Sequence, residues 1–238
     1  MTLDIGLLTF PSVQQLDLTA PYEVFAGIPG ARIHLVAAGL DPVTSATGLV
    51  LTPTTRLADC PRLDVLCVPG GVGVNALMRD ESVLGFVRAQ AEHARYVTSV
   101  CTGALVLGAA GLLKGRRATT HWAALDLLPA FGAIPVAERV VRDGALFTGG
   151  GVTAGIDFAL TLAAELVGRP MAEGIQLGLE YAPAPPFASG TPEAASPAVL
   201  AATRARLAAS RAEREGIVRA LTGAADVAAW ERPAPTAS

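Results

Sequence analysis

Tyr96-Val-Thr-Ser-Val-Cys101-Thr-Gly-Ala-Leu-Val-Leu-Gly-Ala-Ala-Gly-Leu-Leu113 is the stretch that decides the fold. Tyr96 to Val100 are mostly apolar or β-branched and favour a buried strand; Ala104 to Leu113 are mostly small or unbranched at Cβ and favour a helix. Cys101 therefore falls on a strand-to-helix turn. Ser99-Val100-Cys101-Thr102-Gly103 follows the nucleophile-elbow pattern, in which small residues two before and two after the nucleophile let strand and helix approach closely. A thiol there meets the free N–H groups and positive dipole end of the helix, both of which favour a thiolate. A free cysteine is otherwise a small apolar filler, and it is the turn that singles this one out. The uncharged run just reaches the ~18 residues of a membrane span. It contains Thr98, Ser99, Thr102 and three glycines and lies between Arg95 and Lys114, so it reads as a soluble core element.

The 238 residues suit one large α/β domain, and 51% hydrophobic against 16% charged content describes a well-buried globular chain. A net charge of −3 gives no electrostatic footprint for nucleic acid or an anionic membrane. Cys60, Cys67 and Cys101 make an odd count, and the start MTLDIGLLTF lacks a basic segment followed by an apolar export core. The expectation is a reducing cytoplasm with free thiols. His34, His93 and His121 have no metal-ligand spacing to one another or to the cysteines, so no metal is expected.

Outward from the central stretch, Leu3–Thr9, Ile33–Ala38 and Leu63–Val68 read as strands, with a short hairpin over Val43–Thr52. Helices are expected after Pro21, with Asp17 or Thr19 as cap, and over Ser82–His93, Trp122–Phe131 and Ala154–Val167. Val136–Thr148 reads as a hairpin turning at Asp143-Gly144. Strands alternating with helices imply an α/β fold, a mostly parallel central sheet covered on both faces. Tyr181-Ala-Pro-Ala-Pro-Pro-Phe187 leaves the core, which divides the chain into a domain at 1–187 and an extension at 188–238. The extension carries an exposed or interface helix at about 197–221 and a frayed tail after Gly223.

Gly71-Val-Gly73 and Gly149-Gly150-Gly151 each lie between a strand and a helix. Neither has the acidic strand end ~20 residues on that a dinucleotide site needs. Their expected use is close backbone approach, with N–H groups near Gly71 and Gly150 offered to a substrate. Loops after parallel strands gather at one sheet edge, so Asp17, Gly71 and Cys101 can meet. Asp17, Glu23 and His121 are the candidate proton-handling partners of the thiol. Each also has a plain structural reading: a helix cap, a solvated charge, and a histidine satisfied by backbone groups.

Leu16-Asp17-Leu-Thr-Ala-Pro21-Tyr-Glu23, Val68-Pro-Gly-Gly71, Ser99-Val-Cys101-Thr102-Gly103, Thr119-Thr-His121-Trp122 and Gly149-Gly-Gly-Val-Thr-Ala-Gly155 together resemble the ThiJ/PfpI superfamily, a glutamine amidotransferase-like, flavodoxin-like fold. The Cys-Thr-Gly elbow and the Gly-Gly-Gly-Val-Thr-Ala-Gly loop are similar to those of its isocyanide hydratases, cytoplasmic homodimers that convert isocyanides to N-formamides. The resemblance implies Cys101 as nucleophile, Asp17 as its acid partner, Thr102 as a supporting contact, an isocyanide as substrate, and no cofactor. Thr102 stands where the related peptidases and glyoxalases mostly have histidine, which argues against those activities. The residue types suit the chemistry: a thiolate adds to the electrophilic isocyanide carbon while neutral Asp17 protonates it, giving a thioimidate that water then hydrolyses. The competing reading is a ligand- or redox-sensing domain like the sensor half of AraC-type regulators, but only about 50 residues follow Phe187, too few for a helix-turn-helix pair.

Overall fold

The computed structural model describes residues 2–224. In chain order the elements are β1 (Leu3–Leu8), α1 (Gln15–Ala26), β2 (Ala31–Ala37), β3 (Val43–Thr44), β4 (Val50–Leu51), β5 (Thr55–Arg56), β6 (Val65–Val68), α2 (Val74–Leu77), α3 (Glu81–Ala91), β7 (Tyr96–Val100), α4 (Gly103–Ala109) and β8 (Arg117–Ala118). A 3-10 helix (Trp122–Phe131), β9 (Ile134–Pro135), β10 (Val140–Asp143), β11 (Leu146–Gly149), α5 (Ala154–Val167), α6 (Arg169–Gly178) and α7 (Pro197–Thr222) follow.

Seven strands form the main sheet in the order β10-β11-β7-β6-β1-β2-β5, parallel throughout except for the β10–β11 hairpin. Every residue of β1 and β6 is buried, the mark of parallel strands covered by helices on both faces. β7 lies between β6 and β11, so its C-terminal end opens among the loops that follow β1, β6 and β11. Phe25 of α1 meets Phe158 of α5 edge to face at 6.1 Å, tying two covering helices together.

The expected mostly parallel sheet and its helices are present, with instructive shifts. Helix α1 starts at Gln15, so Pro21 lies inside it and Asp17 falls in its first turn, buried and not capping. Pro21 is held against α5, where Gly155 leaves it room: a Cβ there would come within 3.2 Å of the Pro21 ring. The segment Trp122–Phe131 winds as a 3-10 helix, its Pro129 lacking the N–H a regular α-helix would use, and ends at left-handed Gly132. Helix α7 matches the expected span but not the expected setting. It packs on its own chain, against the 3-10 helix and α2, with Arg211, Arg214, Ile217 and Val218 buried. The expected fraying of the tail lies, past Ala224, outside the described residues.

Candidate active site

Cys101 sits at the end of β7 with φ +54°, in the left-handed region that costs a non-glycine residue on the order of 1–2 kcal/mol. The surroundings hold it there. Its N–H donates to the carbonyls of Gly149 (3.1 Å) and Gly150 (2.8 Å), and its own carbonyl accepts from the Thr120 hydroxyl at 2.7 Å. Gly103 starts α4 with no room for a side chain, since a Cβ would run into the Val68 carbonyl. Cys101 is thus fixed by the ends of β6, β7 and β11 at once, and although only 6% exposed it lines a cleft.

Asp17 reaches the sulfur from the first turn of α1. It is fully buried, its carboxyl interacts with the Cys101 thiol, and its Oδ2 accepts the Gly70 N–H at 3.0 Å. Oδ1 has no hydrogen-bond partner among the described residues. Burial pushes the carboxyl up to about 7, against the opposing pull of its bonds to Cys101 and Gly70. Burial and the neighbouring Asp17 charge push the Cys101 thiol up as well, while the Thr102 N–H and Arg214 favour the thiolate. Two ionised groups are resisted, so near neutral pH the pair carries at most one negative charge.

The loop after β6 completes the floor. Gly71 N–H donates to Thr102 Oγ1 at 3.0 Å, and that hydroxyl in turn donates to the Gly71 carbonyl at 3.3 Å. The Gly71 N–H expected to face a substrate is therefore taken up by Thr102, and Thr102 braces the loop. A Cβ on Gly70 would press on the Thr102 amide nitrogen (2.6 Å) and on Asp17 Oδ2 (2.7 Å), so glycine is needed where three site groups converge.

The cleft, about 270 Å³, is lined by Gln14, Gly71, Cys101, Thr102 and His121 on the sheet side and by Arg206, Leu207, Ser210, Arg211 and Arg214 of α7 on the other. Gly150 lines a separate cavity of about 630 Å³ that shares His121 and Val152 with the cleft, so its contact with the site runs through the Cys101 N–H. His121 is a capping histidine: its Nδ1 accepts the Ala123 N–H at 3.2 Å, and burial followed by Arg214 lowers it to about 4, leaving it neutral. Glu23 is exposed and lines a different hollow, between α1 and α6. Cys60 and Cys67 are free thiols raised by burial to about 11 and about 12. No cluster of three or more metal-ligating side chains occurs among the described residues, and none of their helices is long and apolar enough to cross a membrane.

Sequence reasoning missed the α7 wall. The only available signal was the cadence Arg204, Arg206, Arg211, Arg214, which spacing alone does not distinguish from a solvated face.

A strained cysteine elbow with a buried carboxyl beside it, on this sheet order, defines a class, and residues 4–165 match the DJ-1/PfpI family, to which the chain belongs. Among individual proteins it is 67% identical over 210 residues to the isonitrile hydratase of Pseudomonas putida, covering 88% of this chain and 92% of that one. A crystal structure of a ThiJ/PfpI family protein from Pseudomonas syringae, 44% identical, superposes with a TM-score of 0.89 over 92% of this chain and 91% of that one. The HTH-type transcriptional regulator GbdR of Pseudomonas aeruginosa is 34% identical over 146 residues, 60% of this chain and 40% of the regulator.

Proposed function

We propose that the protein is an isocyanide hydratase, acting in the cytoplasm as a homodimer and converting R–N≡C and water to R–NH–CHO through a covalent bond to Cys101. The observation that carries the substrate class is the 67% identity to isonitrile hydratase, which extends over 88% of the chain. Cys101 on the cleft wall, with the buried Asp17 carboxyl interacting with its thiol from behind, supports the chemistry.

In the reactive form of the pair the sulfur carries the charge and Asp17 the proton. Sγ adds to the isocyanide carbon as the Asp17 proton passes to that carbon, forming Cys101–S–CH=N–R and leaving Asp17 ionised. Water then adds to the same carbon, one of its protons passing by way of Asp17 to the nitrogen. Collapse of the adduct expels the thiolate, and the hydroxyl proton returns to Asp17 as the formamide leaves. Side chains and water supply every proton and electron pair. Thr102 keeps the Gly70-Gly71 turn, and through it the Asp17 carboxyl, in register with the sulfur; Gly150 positions the nucleophile by its carbonyl.

For the dimer, Met171 and Leu177 of α6, Leu179 just after it and Phe187 further on are exposed apolar side chains that a second copy would cover. Loss of an aryl isocyanide with stoichiometric formamide, monitored by absorbance and by mass, tests the activity; absence of turnover over a panel of alkyl and aryl isocyanides would overturn it.

A further inference from the structure

We propose that Arg214, carried into the cleft wall by α7, is the counter-charge of the Cys101–Asp17 pair and draws the pair's negative charge toward sulfur. The proposal rests on Cys101 being the nucleophile of the reaction above. Arg214 is 7% exposed and lines the same cleft as Cys101. Its hydrogen bonds are to neutral partners, Nε to Asn75 Oδ1 at 3.1 Å and Nη2 to Ser210 Oγ at 3.3 Å, and it makes no ion pair among the described residues. Its neighbour Arg211 shows the contrast, with Asp126 at 2.6 Å and Glu215 at 2.7 Å.

A guanidinium taken out of water without an anion is costly, so a buried one is expected to face a negative charge. Glu213 does not fill that place: its carboxylate accepts from Asn75 Nδ2 at 2.9 Å and lies near Arg79. The negative site that acts on Arg214 most strongly is Cys101, ahead of Glu213, and Arg214 in turn draws the thiol toward its ionised form. The other charged or titratable groups facing the pair and its cation are the Cys67 thiol from β6, His121 ahead of the 3-10 helix, and Arg206, Arg211 and Glu213 from α7. His121 is already held neutral, which leaves the arginine as the source of positive potential closest in effect to the sulfur.

Asn75 fixes the side chain. It is buried in α2, directly after the Gly71–Gly73 turn, and holds both Arg214 and Glu213, so the cation is tied to the loop that braces Asp17. Arg214 also lies outside residues 4–165, the part matched to the family, so the extension supplies a charge to a site built by the domain. Acting through sulfur and not by contact with the substrate, it is a positioning residue. It favours the thiolate before addition and again as the leaving group when the adduct collapses.

The test is the pH dependence of Cys101 alkylation by iodoacetamide in the full-length protein. It is read by peptide mass spectrometry from about pH 5 to about pH 10, bracketing the carboxyl and thiol ranges. Arg214→Gln and Arg214→Met should raise the reactivity midpoint by ~1–3 pH units, the usual effect of losing a nearby opposite charge. Arg214→Lys, which keeps the charge, should bring it most of the way back. A neutral variant with an unchanged near-ultraviolet circular dichroism spectrum and the wild-type midpoint would overturn the proposal. Should both neutral variants fail to fold, Arg214→Lys decides: an unchanged midpoint supports the counter-charge, and a rise of ~1 unit or more overturns it. Because the readout needs no isocyanide, a midpoint shift in a protein that hydrates nothing would sink the hydratase reading and leave this one standing.

Discussion

Cys101 and Asp17 divide one proton and one charge, and each of their properties follows from the burial of both. Cys101→Ser removes the nucleophile while fitting the same space, and should lower turnover by roughly 10³-fold or more with the fold intact. Steady-state rates beside a circular dichroism spectrum check this. Asp17→Asn should cost ~10²–10⁴-fold in rate, the scale of a lost general acid–base. The same variant carries a stability signature. Burial raises Asp17 from 3.8 to about 7, so between those values the native state binds a proton that the unfolded chain has released. Native stability therefore falls as pH rises through that window, and at neutral pH the buried carboxyl works against the fold. Asp17→Asn should abolish this fall and be the more stable form above about pH 7, seen as a higher urea midpoint; parallel midpoint–pH curves for the two proteins would refute the shift.

At the level of elements, the elbow was legible because its requirements are local: a β-branched strand, small residues beside the cysteine and a helix-forming run after it. Gly103 belongs to that legible set: a Cβ there would run into the Val68 carbonyl, so only its absence lets the β6 and β7 exits touch. Gly70→Ala should fold poorly or separate Thr102 from Asp17, with activity lost beyond any loss of stability. What stayed hidden depended on partners distant in sequence. Helix α1 begins earlier than its cap residues suggest because tertiary packing accommodates Pro21 against Gly155, freeing Asp17 to face the sulfur. The docking of α7 is likewise non-local. Arg211, 2% exposed, grips Asp126 with both terminal nitrogens (2.6 and 2.7 Å) and the Ala123 carbonyl, 85 and 88 residues away. Asp126→Ala leaves that guanidinium without its fork partner and should cost on the order of 2 kcal/mol, discounted for the partly exposed side of Asp126. Urea denaturation gives the loss, and limited proteolysis should show α7 cut earlier.

Over the whole molecule, the sheet domain carries the reacting groups and the extension closes the cleft over them. The α/β architecture was readable from alternating strand and helix patterns, whereas the fate of the segment after the proline run was not. A charged, alanine-rich helix has the same composition on a partner's surface as on its own chain's, and here its buried stripe of Arg211, Arg214, Ile217 and Val218 turns inward. The dimer surface is instead expected around Leu177 and Phe187, and sedimentation should return twice the 24.3 kDa chain mass; a monomer at assay concentration would count against it. The measurement closest to the central claim is rapid-quench intact mass during turnover of an aryl isocyanide, with peptide mapping of the quenched protein. The account predicts a transient gain of one isocyanide mass on the Cys101 peptide, absent from Cys101→Ser, that decays as formamide accumulates. Formamide production at an undiminished rate by Cys101→Ser would contradict it.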